Sequence, residues 1–177
     1  HIDMHGGDGN ELLDAFVGTY GGPLAATQFP ASDRMARAFG LPRIVDYRME
    51  TWEQVNSGRS CNRQAVAAGK PTILVEIGQQ GRAEASEVAL ATRGVLNVLR
   101  ALEMLPGAPL LNRRQPLRYD GTIGVSFTRT GIWYPAVTPG TAVSAGQTLG
   151  VVRSLVGEVV QEVKAPQAGV VLYMTYA

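Results

Sequence analysis

The chain has 177 residues, a length that suits one domain or two small ones. Hydrophobic residues make up 45% and charged residues 18%, the balance of a globular protein with a core rather than of a disordered chain. A net charge of +1 leaves no electrostatic footprint for nucleic acid, and no apolar run approaches the roughly 20 residues that cross a bilayer.

In chain order, HIDMH (1–5) reads as a short strand that runs into a glycine loop. SDRMARAFG predicts a short helix with Ser32 as its N-cap and Gly40 just past its end. RIVDYR predicts a second strand, and RSCNRQAVAAGK a helix closed by Gly69. TILVEIG after Pro71 is a continuous apolar run of the kind buried on both faces of a sheet. From about Ala83 to Leu105, Val88, Ala91, Val95, Val98, Leu99 and Leu102 keep helical spacing. This alternation predicts a mostly parallel sheet covered by helices.

The segment PGAPLLNRRQPLR, with three prolines and three arginines, reads as a linker or crossover. Beyond it TIGVSFT, GIWYPAV, QTLGVV, GEVVQEV and GVVLYM are short β-rich runs divided by Gly and Pro, as in a small barrel or sandwich. The expected organisation is therefore a partial α/β domain over 1–110 and a β-rich domain over 111–177. Both ends of the sequence fall in runs that read as strand interior, so the expectation is a piece of a longer protein. The one cysteine, Cys61, excludes an internal disulfide, fits a reducing cytoplasmic compartment, and reads as a small buried residue near a helix start.

Two positions carry chemistry. His5 ends a strand where a glycine loop begins, and Glu76 stands at the matching place in an apolar strand. In open parallel sheets, ligand sites form at the carboxyl ends of strands. A carboxylate there is costly unless paired, metal-bound or protonated, and its ionised form can take a proton from water. Pairing with a structural arginine is the other reading of Glu76. The spacing of His1 and His5 matches H-E-x-x-H, but Ile2 occupies the place of the glutamate. His1, Asp3 and His5 share one face of a strand, which allows a second metal reading, whereas Asp3 is better placed to orient the His5 ring. H-G-G-D also gives Asp8 ligand-like spacing; its other role is to bind the loop together with Glu11.

IDMHGGDGNEL resembles the DLHGGD…E segment of the succinylglutamate desuccinylase/aspartoacylase family, relatives of the zinc carboxypeptidases. The resemblance continues through MARAFGL, AGKPTILVEIGQQG and GIWYPAVTPGTAVSAGQTLG, in order, along essentially the whole chain. It implies a zinc-dependent amidohydrolase that cleaves N-acyl amino acids, a small-molecule substrate rather than nucleic acid or membrane. His5 matches the family's third zinc ligand and Glu76 its catalytic glutamate, and Met4 stands in place of the usual leucine. The family's other two ligands come from an H-G-x-E-type motif, which has no counterpart before His5, so they are expected outside this chain. Arg63, or alternatively Arg59, lies where a carboxylate-binding arginine is expected, and Asp3 and Asp8 would support the metal site. The alternative is a non-catalytic binding module that has lost its metal.

The C-terminal runs also resemble a biotinyl or lipoyl barrel. The expected hairpin tip, Ser154 to Gly157, contains no lysine to carry the cofactor, and Lys164 sits at a strand end instead. Tyr134 reads as an aromatic in a barrel seam, with projection towards substrate as the other reading.

Overall fold

The computed structural model describes residues 1–57, 60–111 and 114–176. The first strands in chain order are β1 (Ile2–His5), β2 (Glu11–Leu13) and β3 (Phe16–Gly21). Helix α1 (Phe29–Phe39), strand β4 (Arg43–Arg48) and helices α2 (Trp52–Ser57) and α3 (Cys61–Ala67) follow. Next come β5 (Ile73–Glu76), α4 (Ala85–Ala101) and β6 (Leu117–Tyr119). The remainder is all strand: β7 (Ile132–Pro135), β8 (Ala142–Val143), β9 (Thr148–Arg153), β10 (Val159–Lys164), β11 (Gly169–Val170) and β12 (Tyr173–Thr175).

The chain divides into two compact units. The first contains 1–6, 15–78 and 83–122; the second contains 7–14, 79–82 and 123–177. The boundary expected near 110 therefore lies at 122, and two short segments of the first hundred residues join the second unit. Their reason is pairing: β2 forms an antiparallel ladder with β12, Leu12 opposite Met174.

The first unit is a mixed α/β fold around a five-stranded sheet of order β1-β5-β3-β4-β6. The β1–β5, β3–β4 and β4–β6 pairs are parallel, as the strand–helix alternation predicts. The β3–β5 pair is antiparallel, Phe16 opposite Glu76 and Thr19 opposite Ile73. All of β3 is buried. Leu117–Tyr119, which reads in sequence as linker and strand start, is the edge strand beside β4.

Side chains alternate across the sheet and so divide its two faces. One face carries Ile2, Val17, Ile44, Ile73 and Val75, packed with Met35 and Phe39 of α1 and Val98 of α4. The other carries Tyr20, Tyr47 and Leu74, against Val55 of α2 and Val66 of α3. On the first face Arg118 ties Asp33 of α1 to Asp46 of β4, and Asp46 also accepts the Thr19 hydroxyl. Burial raises the Asp33 carboxyl, but hydrogen bonds from Arg37 and Arg118 outweigh it and hold that carboxyl below the usual range.

Helix α1 begins three residues before the expected cap. Pro30 fits the first turn, where a missing N–H is harmless, and this moves the start to Phe29. Ser32 is consequently buried inside the helix, where its Oγ accepts the Thr72 N–H at 3.0 Å. Gly40 closes the helix in the left-handed conformation, as expected. On α4, buried Asn97 grips the Leu110 backbone at both ends, donating to its carbonyl at 3.0 Å and accepting its N–H at 2.9 Å.

The strands of the second unit pair as three short antiparallel sheets, β10-β9-β7, β11-β8 and β12-β2. The TIGVSFT run forms no strand. The β9–β10 hairpin turns at 154–157 as expected: Ser154 N–H donates to Glu158 O, and Gly157 has φ 89°. Leu155 and Val156 stand exposed on that turn, and Lys164 pairs with Glu162 at 3.2 Å. Tyr134 is 49% exposed under the Arg153 guanidinium, so it is a surface aromatic and not a seam residue.

Close helix packing supplies a test of this architecture. A Cβ at Gly94 of α4 would meet Phe39 Cε1 at 2.5 Å, and Phe39 is 1% exposed, with nowhere to move. Gly94→Ala should therefore lower stability by about 1–3 kcal/mol despite alanine's better helix propensity, read as a lower denaturant midpoint at unchanged slope. An unchanged or higher midpoint would contradict the α1–α4 contact.

Candidate active site on the sheet face

The carboxyl ends of β1 and β5 lie side by side because the two strands run parallel and in register. His5 is the Cα partner of Glu76, as Asp3 is of Leu74. The ladder continues one step past the strands, with Ile77 N–H donating to His5 O at 3.0 Å. Only glycine fits next: a Cβ at Gly6 would lie 2.7 Å from Ile77 O.

His5 and Glu76 open into one cavity of about 420 Å³, together with Tyr20, Tyr47, Asn62 and Arg63. Its floor is the sheet face described above. Gly18 lets that floor close up, since a Cβ there would lie 2.9 Å from the Tyr47 ring and 3.1 Å from Leu74 Cβ. Its roof comes from the start of α3. Ser60 caps that helix by accepting the Arg63 N–H at 3.4 Å.

The structure brings most of the sequence-predicted residues together. Glu76 is half-buried at the cavity end of β5. The His5 imidazole is 52% exposed, with Nε2 3.2 Å from Asp3 Oδ1. The other Asp3 oxygen accepts Asn62 Nδ2 at 2.7 Å. Arg63 lines the cavity and donates one nitrogen to the Gln54 carbonyl at 3.0 Å, its one side-chain hydrogen bond among the described residues. Arg59 lies outside the described residues.

Asp8 is not among the residues that line this cavity. It belongs to the second unit, in a turn where its backbone N–H donates to Glu11 Oε2 at 3.0 Å and Glu11 N–H returns to Asp8 O. His1 is engaged elsewhere, its Nδ1 2.9 Å from Thr72 Oγ1. Cys61 is exposed rather than buried, because the inward stripe of α3 is Asn62, Ala65 and Val66. Among the described residues no three His, Cys, Asp or Glu side chains converge as a metal cluster.

Sequence reasoning missed Asn62, Tyr20 and Tyr47. The signal for Asn62 was present in the helical spacing of positions 62, 65 and 66, which marks a buried face. Tyr20 and Tyr47 are Cα partners on β3 and β4, with rings stacked 5.6 Å apart. Burial pushes the Tyr20 phenol well above the usual tyrosine range, and Tyr47, Asp3 and Glu76 add to this while Arg63 opposes it. Tyr20 therefore stays a neutral donor in the cavity at physiological pH.

Solved structures share this architecture along nearly the whole chain. An ectoine utilization protein, EutE (DoeB), from Ruegeria pomeroyi, in its product-bound form, superposes with a TM-score of 0.83 at 22% identity. A succinylglutamate desuccinylase from Silicibacter sp. gives 0.82 at 21% identity. A succinylglutamate desuccinylase/aspartoacylase from Rhodobacter sphaeroides gives 0.78 at 22%. The chain has the succinylglutamate desuccinylase/aspartoacylase fold. Each match covers 99% of this chain and 53% of the other, so the chain spans about half the length of these proteins. No family profile and no curated protein matches it. No helix among the described residues is long and apolar enough to cross a membrane.

The Tyr20 environment has a measurable consequence. An acid whose folded-state pKa is raised stays protonated while its unfolded counterpart ionises, so folding stability is full below about pH 10 and falls as pH rises further. Tyr20→Phe keeps the ring and removes the ionisation. Urea midpoints measured from about pH 8 to pH 11 should fall more gently in Tyr20→Phe than in the wild type. Parallel curves would show that the phenol is not buried as described.

Proposed function

We propose that this chain supplies the catalytic glutamate, one zinc ligand and the substrate-binding arginine of a zinc-dependent hydrolase that cleaves the amide bond of N-acyl amino acids. The supporting observation is that His5 and Glu76, seventy-one positions apart in the chain, end paired parallel strands and share one cavity with Arg63. The fold shared with desuccinylase and aspartoacylase structures supports the same reading.

The residues fit a metal at His5. With Nε2 directed at Asp3, the ring nitrogen left for coordination is Nδ1, and a carboxylate behind the imidazole raises its basicity and fixes its orientation. The described residues contain one such ligand, and the remaining donors would come from outside them. Zinc held there with an open position supplies a Lewis acid that makes water a nucleophile near neutral pH.

The chain's own residues perform the remaining work. Glu76 takes a proton from the attacking water on a carboxylate oxygen and gives it to the leaving amine nitrogen, which makes the amine a viable leaving group. Arg63 binds the substrate carboxylate through two parallel hydrogen bonds, a geometry lysine cannot reproduce. Tyr20 donates from the cavity wall.

The test uses the full-length gene product. Glu76→Gln should retain zinc by metal analysis and lose hydrolysis of N-acyl amino acids by about 10²–10⁴-fold or more, the range for loss of a general base. His5→Ala should lose the zinc itself. Turnover by Glu76→Gln at the wild-type rate would refute the catalytic assignment. If the full-length protein carries no metal and hydrolyses nothing, the chain is instead a binding module with a vacated site. For recognition, Arg63→Lys should raise KM for an N-acyl amino acid by about tenfold and leave KM for its carboxamide analogue unchanged.

A further inference from the structure

Behind His5 runs a line of hydrogen bonds that the proposed chemistry does not use. Asn62 is 2% exposed. Its Nδ2 donates to Asp3 Oδ2 at 2.7 Å, and its Oδ1 accepts from Thr72 Oγ1 at 3.1 Å. Thr72 is fully buried, and its backbone N–H donates to Ser32 Oγ at 3.0 Å. Thr72 Oγ1 also lies 2.9 Å from His1 Nδ1. The hydrogen bonds therefore run from His1 to Asp3, whose other carboxylate oxygen lies 3.2 Å from His5 Nε2.

The donors and acceptors leave one consistent arrangement. An ionised carboxylate only accepts, so a neutral His5 meets Asp3 only with its proton on Nε2. The Asn62 amide meets Asp3 only through its NH₂ end, so its carbonyl end faces Thr72 and takes that hydroxyl's single proton. Thr72 Oγ1 then accepts from His1, whose proton is on Nδ1. The two imidazoles are thus held as opposite tautomers.

We infer that Asn62 is a positioning residue, which holds the Asp3 carboxylate in place and so keeps His5 as the Nε2–H tautomer with Nδ1 presented to the cavity. Asp3 could not do this alone. Its terminal torsion is broad, and among the described residues β1 pairs with β5 alone. Asn62 adds a second anchor from a packed helix, and Thr72 in turn fixes which end of the amide faces Asp3. Only the use of Nδ1 for a metal rests on the zinc reading above.

The test is ¹⁵N NMR of the imidazoles of the full-length protein, freed of metal by chelation, at about pH 8.5, where an ordinary histidine is neutral. Comparison with His5→Gln and with His1→Gln identifies the signals of each ring. The wild type should show His5 mainly as Nε2–H and His1 mainly as Nδ1–H. Asn62→Ala should move the His5 tautomer ratio about threefold or more toward Nδ1–H, the scale of one lost hydrogen bond. Thr72→Val removes only the hydroxyl that orients the amide and should move it in the same direction by less. It carries the test if Asn62→Ala, checked by circular dichroism, does not fold. A wild-type ratio in either folded variant overturns the inference, because a purely structural role would leave the tautomer alone. Adding Zn²⁺ to the wild type separates the two readings. A response at His5 Nδ1 supports both. The expected tautomers with no response to zinc overturn the metal reading and leave the positioning role standing.

Discussion

The parallel pairing of β1 with β5 is the constraint from which the site follows. Register sets residue opposite residue, and in a parallel pair the side chains at matched positions leave the sheet on the same side. With His5 opposite Glu76, an imidazole and a carboxylate meet at the carboxyl ends of two strands, facing one cavity. A slip of one residue would turn Asp3 and His5 to the helix-packed face and bring Ile2 and Met4 into the cavity. Ile2, packed into the core beneath α1 and α4, resists that slip from one side, and the Asp3–Asn62 bond resists it from the other.

The sheet thereby separates a packed face from one that opens into a cavity. Its α1–α4 face is apolar and tightly packed, to the point that Gly94 has no room for a methyl group against Phe39. The opposite face keeps its apolar floor in Leu74 and Met49 but admits Tyr20, Asp3, His5 and Glu76 where α3 arches over it. Polar groups in such a place are tolerated only when satisfied. Asn62, Thr72 and Ser32 satisfy one another, and the cost of burying them is offset by bonds that reach to Asp3. Removing one member would leave its neighbours buried without partners, so the group acts as a unit.

How far the site could be read in advance depended on whether each residue advertised its own environment. Glu76 did, as an acid inside TILVEIG, and His5 did, at a junction of strand and glycine loop. Arg63 followed from its place on the preceding helix. Asn62 was overlooked because a polar residue in RSCNRQ reads as solvent-facing until the stripe of α3 is known. Cys61, its neighbour, was expected inside and is exposed for the same reason, one step round the helix. Asp8 shares a motif with His5 in sequence, yet it belongs to the second unit through the pairing of β2 with β12.

Local chemistry was sufficient for most elements of the first unit. Periodicity located β1, β4, β5 and α4, Gly40 and Gly69 closed their helices, and strand–helix alternation pointed to a largely parallel sheet. FVGTYG carried no usable signal, because a strand covered on both faces lacks alternation, and its antiparallel run beside β5 is a choice between long-range partners. TIGVSFT had the composition of a strand and found no neighbour to pair with. The sequence by itself determined which residues are able to do chemistry and which segments favour helix or strand, since those properties are local. Only the tertiary structure decided which of them meet, because strand order, register and the facing side of a helix are set by contacts between residues far apart in the chain.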